Sequence, residues 1–340
     1  MEDLSPMTRV LVPLISEPPA RPVGGVVRGF DGASMGTTWS VKAVLPATTD
    51  IPAMTAMVQR ALDQVVAQMS AWDPMSALSR FNRSAAGTWT ALPAGFANVL
   101  RRAIEIAADS DGAFDPTLGA VTDLWGFGPR PFSGEPPSAD ALDAARAPMG
   151  WRRVTLDGDA LFQPGGLSID LNGIAKGFGV DEAARALERS GVRSYLVEVG
   201  GELRGTGAKP DGQPWWVELE RPPVASANDE AAPRTVLALH GLSVATSGDY
   251  RRFFDHAGKR YAHTLDPASG APCDAGVVSV TVLHPECMTA DALATALTVI
   301  GPDAAQAFAT ARELPVLIVT RGPNGLSERL SPALQAMLDE

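Results

Sequence analysis

An aspartate and a threonine lie four residues apart in an otherwise apolar stretch near the C-terminus. Residues 289–301 predict a buried helix, for which Thr289 is a plausible N-cap. Asp291 and Thr295 then share one face of that helix. Their oxygens suit a hard cation such as Mg²⁺, which also keeps water or phosphate oxygens among its ligands. The alternative is that Asp291 favours the helix N-terminus and Thr295 bonds back to a carbonyl.

A second polar cluster lies at residues 167–179, where an alternating apolar run meets a turn and a helical pattern. Asp170, the turn dipeptide Asn172-Gly173, Lys176 and Gly177 follow one another there. The stretch predicts a strand–turn–helix junction whose backbone N–H groups and lysine charge suit a phosphate. Its spacing matches neither the dinucleotide-binding nor the P-loop pattern. The alternative is a glycine-rich turn that packs a helix closely on a strand.

Composition limits the classes of protein that could use such a site. The chain has 340 residues, 45% of them hydrophobic, which allows one large domain or two closely joined ones. A net charge of −11 argues against broad binding of nucleic acid or anionic membranes. An acidic chain that binds a phosphorylated ligand needs local positive charge, which a divalent cation supplies. Cys273 and Cys287 lack metal-ligand spacing and leave a disulfide or two free thiols open.

The N-terminal residues 1–27 are predicted to be a flexible tail. Their apolar run at 10–15 is short and interrupted by proline, and no cysteine follows it. We therefore expect no membrane insertion and a cytoplasmic location. The alternative is a periplasmic or inner-membrane lipoprotein whose true start lies upstream. The main domain is predicted over 28–336, with a polar, mobile insertion at 222–233.

The elements that must position these residues are mixed helices and strands without an internal repeat. A strand pair is predicted over 30–44, broken at 34–38. Helical periodicity covers about 53–69 and 94–110. Alternating strands are predicted at 194–199 and 277–283, among others. The sequence therefore predicts an α+β protein.

Six short motifs occur in order along the chain. They are Ser-Met-Gly-Thr-Thr at 34–38, Gly-Ala-Phe-Asp-Pro-Thr at 112–117, Asp-Leu-Asn-Gly-Ile-Ala-Lys-Gly at 170–177, Thr-Ser-Gly-Asp-Tyr at 246–250, Tyr-Ala-His-Thr-Leu-Asp-Pro-Ala-Ser-Gly at 261–270 and Ala-Asp-Ala-Leu-Ala-Thr-Ala at 290–296. Each motif is weak alone, but six in this order are specific. With them the sequence resembles the ApbE family of FAD:protein FMN transferases over about residues 30–336.

The resemblance implies a fold and a reaction. The implied fold is α+β, with a T-fold-like core of antiparallel sheet and packed helices and with FAD in a central cleft. The implied reaction is Mg²⁺-dependent cleavage of the FAD pyrophosphate, in which FMN passes to a threonine hydroxyl and AMP leaves. The implied partners are FAD and a target flavoprotein with a D-G-x-[ST]-[GA]-A-T-like acceptor motif. The alternatives are an FAD pyrophosphatase that gives FMN and AMP, or a non-catalytic flavin-binding protein; the oligomeric state stays open.

The same resemblance implies roles for single residues. Implied FAD contacts are Met35, Trp72, Ala113, Phe114, Asp115, Asp170, Lys176 and Leu265, and implied metal ligands are the Gly173 carbonyl and the side chains of Asp291 and Thr295. Some members carry a further Asp just before that threonine. This chain has Ala294 there, which leaves that coordination position to water or phosphate. His263 is the candidate general base and Asp249 the second candidate, with a structural role as the alternative.

Overall fold

The computed structural model describes residues 8–14, 18–223, 234–322 and 325–338. Its dominant element is an antiparallel sheet of eight strands within these ranges, in the order β16-β15-β14-β11-β8-β7-β3-β2. The strands are β2 (Val26–Ser34), β3 (Thr37–Leu45), β7 (Tyr195–Val199), β8 (Glu202–Thr206), β11 (Leu242–Gly248), β14 (Val277–His284), β15 (Val316–Gly322) and β16 (Gly325–Leu330). The predicted strand pair is confirmed, because Ser34 pairs with Thr37 across its tight turn.

Helices pack on this sheet, so that the fold is mixed α+β as expected. They are α1 (Ile51–Met69), α2 (Ala77–Asn82), α3 (Ala94–Asp109), α4 (Gly119–Leu124), α5 (Ala139–Arg146), α6 (Ala175–Arg189), α7 (Cys287–Ile300), α8 (Pro302–Ala311) and α9 (Pro332–Gln335). Helix α6 lies between α1 and α7, and α7 contacts β11 and β14. The helix that carries Asp291 and Thr295 is therefore held directly against the centre of the sheet.

Smaller sheets surround the main one. One joins β1 (Thr8–Leu11), β10 (Arg234–Leu239) and β9 (Trp215–Glu218); a hairpin joins β12 (Phe253–His256) and β13 (Lys259–Ala262); a third sheet joins β4 (Thr88–Ala91), β6 (Ala160–Gln163) and β5 (Leu156–Asp157). A 3₁₀ turn covers Trp151–Arg153. No helix in the described ranges is long and apolar enough to cross a membrane.

Strand β1 lies inside the segment that the sequence analysis assigns to a flexible tail. It pairs in parallel with β10, and Leu11 is 0% exposed. Arg9 also forms an ion pair of 2.8 Å with Glu328. Residues 8–11 are therefore part of the packed fold, which the sequence did not indicate. Residues 1–7 and 15–17, and positions 224–233 of the predicted insertion, lie outside the described residues.

Helix α7 is buried as predicted, but its predicted N-cap is wrong. The helix begins at Cys287, two residues before Thr289. The N–H groups of Cys287 and Met288 donate to the two carboxylate oxygens of Asp181 on α6, at 3.1 and 3.0 Å. Arg204 pairs with the same carboxylate at 2.6 Å. The cap is thus supplied by a residue that is distant in the sequence.

The two cysteines, Cys273 and Cys287, are both free thiols.

The segment 167–171 has the alternating burial of a strand but no strand neighbour, so the predicted strand is wrong. Its backbone instead pairs with two side-chain amides. Asn82 donates to the Ile169 carbonyl at 2.9 Å and accepts from the Ile169 N–H at 2.8 Å. Gln163 bonds both backbone groups of Leu167 in the same way, each at 3.0 Å. These amides satisfy the backbone groups of Leu167 and Ile169. Ser168 and Asp170 bond instead to the backbone of Gly119 and Pro116.

Candidate functional site

A cleft lies where the loop before α4, the turn before α6, the end of β11 and helix α7 meet. It encloses about 870 Å³, part of which is open to solvent. Most of the site residues named from the sequence line it: Ala113, Phe114, Asp115, Asp170, Gly173, Lys176, His263, Leu265, Asp291 and Thr295. Residues that are distant in sequence therefore converge on one concave surface.

Three predicted residues are not among those that line the cleft. Met35 lies in the β2–β3 turn, and its thioether packs on Gly179 of α6. Trp72 is 49% exposed, with its ring 5.8 Å from the guanidinium carbon of Arg252, which does line the cleft. Asp249 follows β11, and the charges that act on it are those of Arg321 and Arg260. Trp72 thus stands beside the cleft, whereas Asp249 faces a different set of groups from His263.

Helices α6 and α7 approach closely at Gly177. A Cβ atom there would lie 2.4 Å from the carbonyl oxygen of Cys287, so only glycine fits. The Gly177 N–H donates to the Asp291 carboxylate at 3.0 Å. Gly177 therefore allows close packing of one helix on another, whereas the alternative interpretation expected a helix packed on a strand. At the same point its N–H orients Asp291.

The candidate metal ligands lie together at the α7 wall of the cleft. Asp291 is 5% exposed. Thr295 bonds back to the Asp291 carbonyl at 3.3 Å, as the alternative interpretation expects, and its hydroxyl is 3.3 Å from that of Ser247. A Cβ on Gly173 would come within 2.9 Å of the Thr295 hydroxyl, so the turn passes directly over it. The threonine oxygen keeps a lone pair for a cation in addition to this long back-bond.

The chemistry of this donor set fits Mg²⁺. Within the described ranges, no group of three or more His, Cys, Asp or Glu side chains is placed to hold a metal. A carboxylate, a hydroxyl and a carbonyl are hard oxygen donors, and Mg²⁺ completes its shell with water and phosphate. Burial raises the pKa of Asp291, against the opposing effects of Lys176, the Gly177 N–H and Arg251. A bound cation would stabilise the ionised carboxylate that burial disfavours.

Two cations share one buried carboxylate behind the metal ligands. Lys176 donates to Glu202 Oε1 at 2.7 Å, and Arg251 approaches the same oxygen at 3.4 Å. Both cations line the cleft. Burial raises the pKa of the Glu202 carboxyl, and the charges of Lys176 and Arg251 act against this rise. Lys176, Arg251 and the neighbouring Arg252 thus bring three positively charged side chains to the cleft wall of an acidic protein.

His263 also lines the cleft, with one ring nitrogen engaged. Its Nδ1 is 3.1 Å from the backbone carbonyl of Arg252, which fixes the proton on that nitrogen and leaves Nε2 as the acceptor. Phe127 packs edge-on against the ring. Burial lowers the pKa of His263 to about 4, and the charges of Arg252, Lys176 and Arg251 add to this effect. The imidazole is therefore neutral at pH 7 and able to accept a proton.

The model of the ApbE family matches residues 35–318, which is most of the chain. The chain belongs to the ApbE family. The FAD:protein FMN transferase of Vibrio cholerae serotype O1 is 38% identical over 92% of each chain, and that of Haemophilus influenzae is 37% identical over 92% of each. The apo structure of the Pseudomonas stutzeri flavinyl transferase ApbE superposes with a TM-score of 0.84, at 38% identity, and covers 92% of this chain and 97% of that one. The family expected from the six motifs is confirmed.

The remaining walls of this ApbE-family cleft differ in polarity. Ala113, Phe114 and Leu265 form an apolar part. Asp115 accepts from the Thr117 N–H at 2.8 Å and from the Trp151 N–H at 3.1 Å. Elsewhere Asp170 accepts from the Thr122 hydroxyl at 2.7 Å and the Asn172 N–H at 2.8 Å, and burial raises its pKa. Each carboxylate thus accepts a hydrogen bond from its own turn and another from a residue more than 30 positions away in the sequence.

Sequence reasoning missed several residues of the site. Thr246 and Ser247 lie inside the motif at 246–250, and Arg251 and Arg252 directly follow it. Their position beside a recognised motif could therefore have indicated them. Glu202 follows the turn dipeptide Gly200-Gly201 and carries no local signal of its role. Its proximity to Lys176 depends on how β8 packs beside α6, which periodicity does not specify.

Proposed function

We propose that this protein transfers the FMN part of FAD to a threonine hydroxyl of a target flavoprotein and releases AMP. Membership of the ApbE family and the similarity to FAD:protein FMN transferases support the reaction. The observation that carries it is the cleft itself. There Asp291 and Thr295, Lys176 and His263 face one space beside an apolar wall. That combination suits a ligand with a flat apolar ring and a pyrophosphate.

We place FAD in this cleft within a T-fold-like core. The apolar part at Phe114 and Leu265 would take the flavin ring, and the positive part at Lys176 and Arg251 would take the pyrophosphate. Trp72, beside Arg252, is placed to cover the outer edge of a ring. Stacking and apolar contact then hold the flavin, while charge holds the phosphates.

Mg²⁺ would be held by Asp291, Thr295 and the Gly173 carbonyl. Bound there, the ion would neutralise charge on the pyrophosphate and on the departing AMP phosphate. Lys176 binds a phosphate oxygen and so restricts the FMN phosphorus to one orientation. Positioning of this kind is the main contribution that a protein makes to phosphoryl-type transfer.

The bond changes follow from the groups present. The threonine Oγ attacks the phosphorus of the FMN half, the bond from that phosphorus to the bridging oxygen breaks, and AMP leaves with the electron pair. His263 Nε2 accepts the hydroxyl proton. The three cations that depress the pKa of His263 would be balanced by a bound pyrophosphate, which makes the imidazole a stronger base when the substrate is present.

Mass spectrometry of a reaction with FAD, Mg²⁺ and a threonine-motif peptide tests the proposal. We expect a peptide that carries FMN together with released AMP. Free FMN and AMP without a modified peptide would show a pyrophosphatase instead. Tight FAD binding without turnover would show a flavin-binding protein.

Two threonines of α7 provide a matched test of the metal site. Thr295 lines the cleft, whereas Thr298 bonds back to the Ala294 carbonyl at 2.8 Å and is not among the lining residues. Thr295→Val should raise the Mg²⁺ concentration for half-maximal turnover by about 10-fold or more, since metal sites lose about 10- to 100-fold in affinity when supporting groups are removed. Thr298→Val should not change it. Full Mg²⁺-dependent transfer by Asp291→Ala would show that the metal is bound elsewhere.

A further inference from the structure

A buried carboxylate lies behind the cleft without lining it. Glu202 opens β8 and is 0% exposed. Its Oε1 accepts from Lys176 and lies within ion-pair distance of Arg251. Its Oε2 is buried and has no hydrogen-bond partner among the described residues. A buried acceptor without a donor costs folding free energy, so stability alone does not explain this carboxylate.

The two cations that meet at Glu202 come from separate parts of the chain. Lys176 lies in the first turn of α6, and Arg251 lies between β11 and β12. Like charges brought this close repel one another in a partly buried site. The Glu202 carboxylate offsets that repulsion and gives both side chains a common anchor. Neither cation would keep its place in the cleft wall as well if the anchor were neutral.

The chain makes room for Arg251 immediately before Glu202. Gly201 has a φ of +100°, and a Cβ atom there would lie 2.7 Å from the Arg251 guanidinium. The Gly200 carbonyl accepts from Arg251 at 3.0 Å, and Glu220 pairs with the outer side of the guanidinium. The turn at Gly200-Gly201 and the Glu202 carboxylate that follows it thus together hold the Arg251 guanidinium.

We propose that Glu202 is a positioning residue that holds Lys176 and Arg251 as a pair, so that both charges meet the pyrophosphate of FAD. This inference rests on the proposed function for the identity of the ligand. Glu202 itself touches neither ligand nor metal. Its effect passes through the two cations, and it should therefore act on phosphate-bearing ligands and not on the flavin ring.

The test compares ligands with and without phosphate on the full chain. Glu202→Gln keeps the shape and removes the charge. We expect its dissociation constant for FAD to rise by about 10- to 100-fold, the range that loss of a charged hydrogen bond gives. The dissociation constant for riboflavin, which has the ring and no phosphate, should stay the same. The dissociation constant for inorganic pyrophosphate should rise as the one for FAD does.

Control variants separate positioning from general damage. Glu188→Gln removes a different carboxylate, which is partly buried and bonds Tyr195 and Arg204 away from the cleft, and it should leave all three constants unchanged. Glu202→Asp retains the charge at a shorter reach and should recover part of the FAD affinity. If Glu202→Gln does not fold, Glu202→Asp carries the same comparison, with weaker FAD and pyrophosphate binding at unchanged riboflavin binding.

Two results would overturn the inference. Unchanged FAD binding by Glu202→Gln would show that the pair does not depend on this carboxylate. Equal weakening of FAD and riboflavin would show a structural defect. If the wild-type protein binds FAD and transfers nothing, the proposed function fails while the Glu202 comparison still gives an answer. If it does not bind FAD, pyrophosphate alone decides whether Glu202 supports anion binding.

Discussion

Gly177 is a position at which a single added methyl group should be strongly destabilising. Its Cβ would lie 2.4 Å from the Cys287 carbonyl oxygen and 2.6 Å from the carbonyl carbon. Both atoms are backbone at the start of α7, so no side chain can rotate away. Real Cβ atoms essentially never approach closer than 3.0 Å, so α6 and α7 must separate by about 0.6 Å. The same movement stretches the Gly177–Asp291 hydrogen bond.

The magnitude follows from three effects. Forcing a methyl group into a packed core costs about 1–3 kcal/mol. Weakening a buried hydrogen bond to a charged group costs up to about 1.5–3 kcal/mol. Alanine favours a helix interior over glycine by roughly 0.5–1 kcal/mol. We therefore expect Gly177→Ala to lower the free energy of unfolding by roughly 2–5 kcal/mol and to raise the Mg²⁺ requirement, because Asp291 moves.

Gly179→Ala, on the same helix, is the matched control. The Cβ there would meet the end of the Met35 side chain at 2.6 Å, and a thioether can rotate away. Its free energy of unfolding should stay within about 1 kcal/mol of the wild-type value. Urea unfolding of both variants measures the difference. Equal stability of the two variants, with an unchanged Mg²⁺ requirement for Gly177→Ala, would refute the close contact of α6 with α7.

Three further predictions concern other parts of the chain. Asn82→Ala leaves both backbone groups of Ile169 without partners. It should lower the free energy of unfolding, measured with urea, by about 2–5 kcal/mol, because each unsatisfied buried group costs about 1–3 kcal/mol. Wild-type stability would show that water replaces the amide. Leu11→Ala should lower the free energy of unfolding by about 2–5 kcal/mol. Leu14→Ala, at a side chain that is 76% exposed, should leave it almost unchanged. Equal small losses for the two variants would mean that β1 does not pack against the rest of the fold. The folded-state pKa of His263 is about 4, below its ordinary 6.5, so the unfolded chain binds more protons between these values. The free energy of unfolding should fall as the pH drops through that window, and it should fall less for His263→Gln. Equal slopes in unfolding titrations would contradict a half-buried, neutral imidazole.

Much of the fold was predictable because periodicity reports burial. The spacing of apolar residues in α1 and the alternation in β3 identified both elements to within a few residues. Helix α7 was recognised as buried from its composition. What periodicity does not report is the source of the hydrogen bonds. The amide of Asn82 lies 87 residues from the segment it pairs with, and Asp181 lies 106 residues from the helix start that it caps.

The site was predictable to the extent that its residues lie in recognisable motifs. Asp291, Thr295 and His263 all line the cleft. Membership of a motif does not specify where a side chain points, and Asp249 lies near Arg260 and Arg321 instead of the cleft. Glu202 was missed because its partners are set by the packing of β8 beside α6. Long-range contacts of polar groups are therefore what the sequence alone left open.

The four segments that build the cleft have a consequence for the order in which the protein matures. They lie at residues 113–127, 170–176, 246–265 and 291–295, so no early part of the chain contains a complete site. Contacts between such distant segments form late in folding. If FAD binds in the cleft as proposed, a chain still emerging from the ribosome could not bind it until α7 had been made. At a free concentration of about 100 times its dissociation constant, the ligand would add about 2.7 kcal/mol to the free energy of unfolding of the whole chain. Substrate binding thus marks a finished molecule and protects it from unfolding.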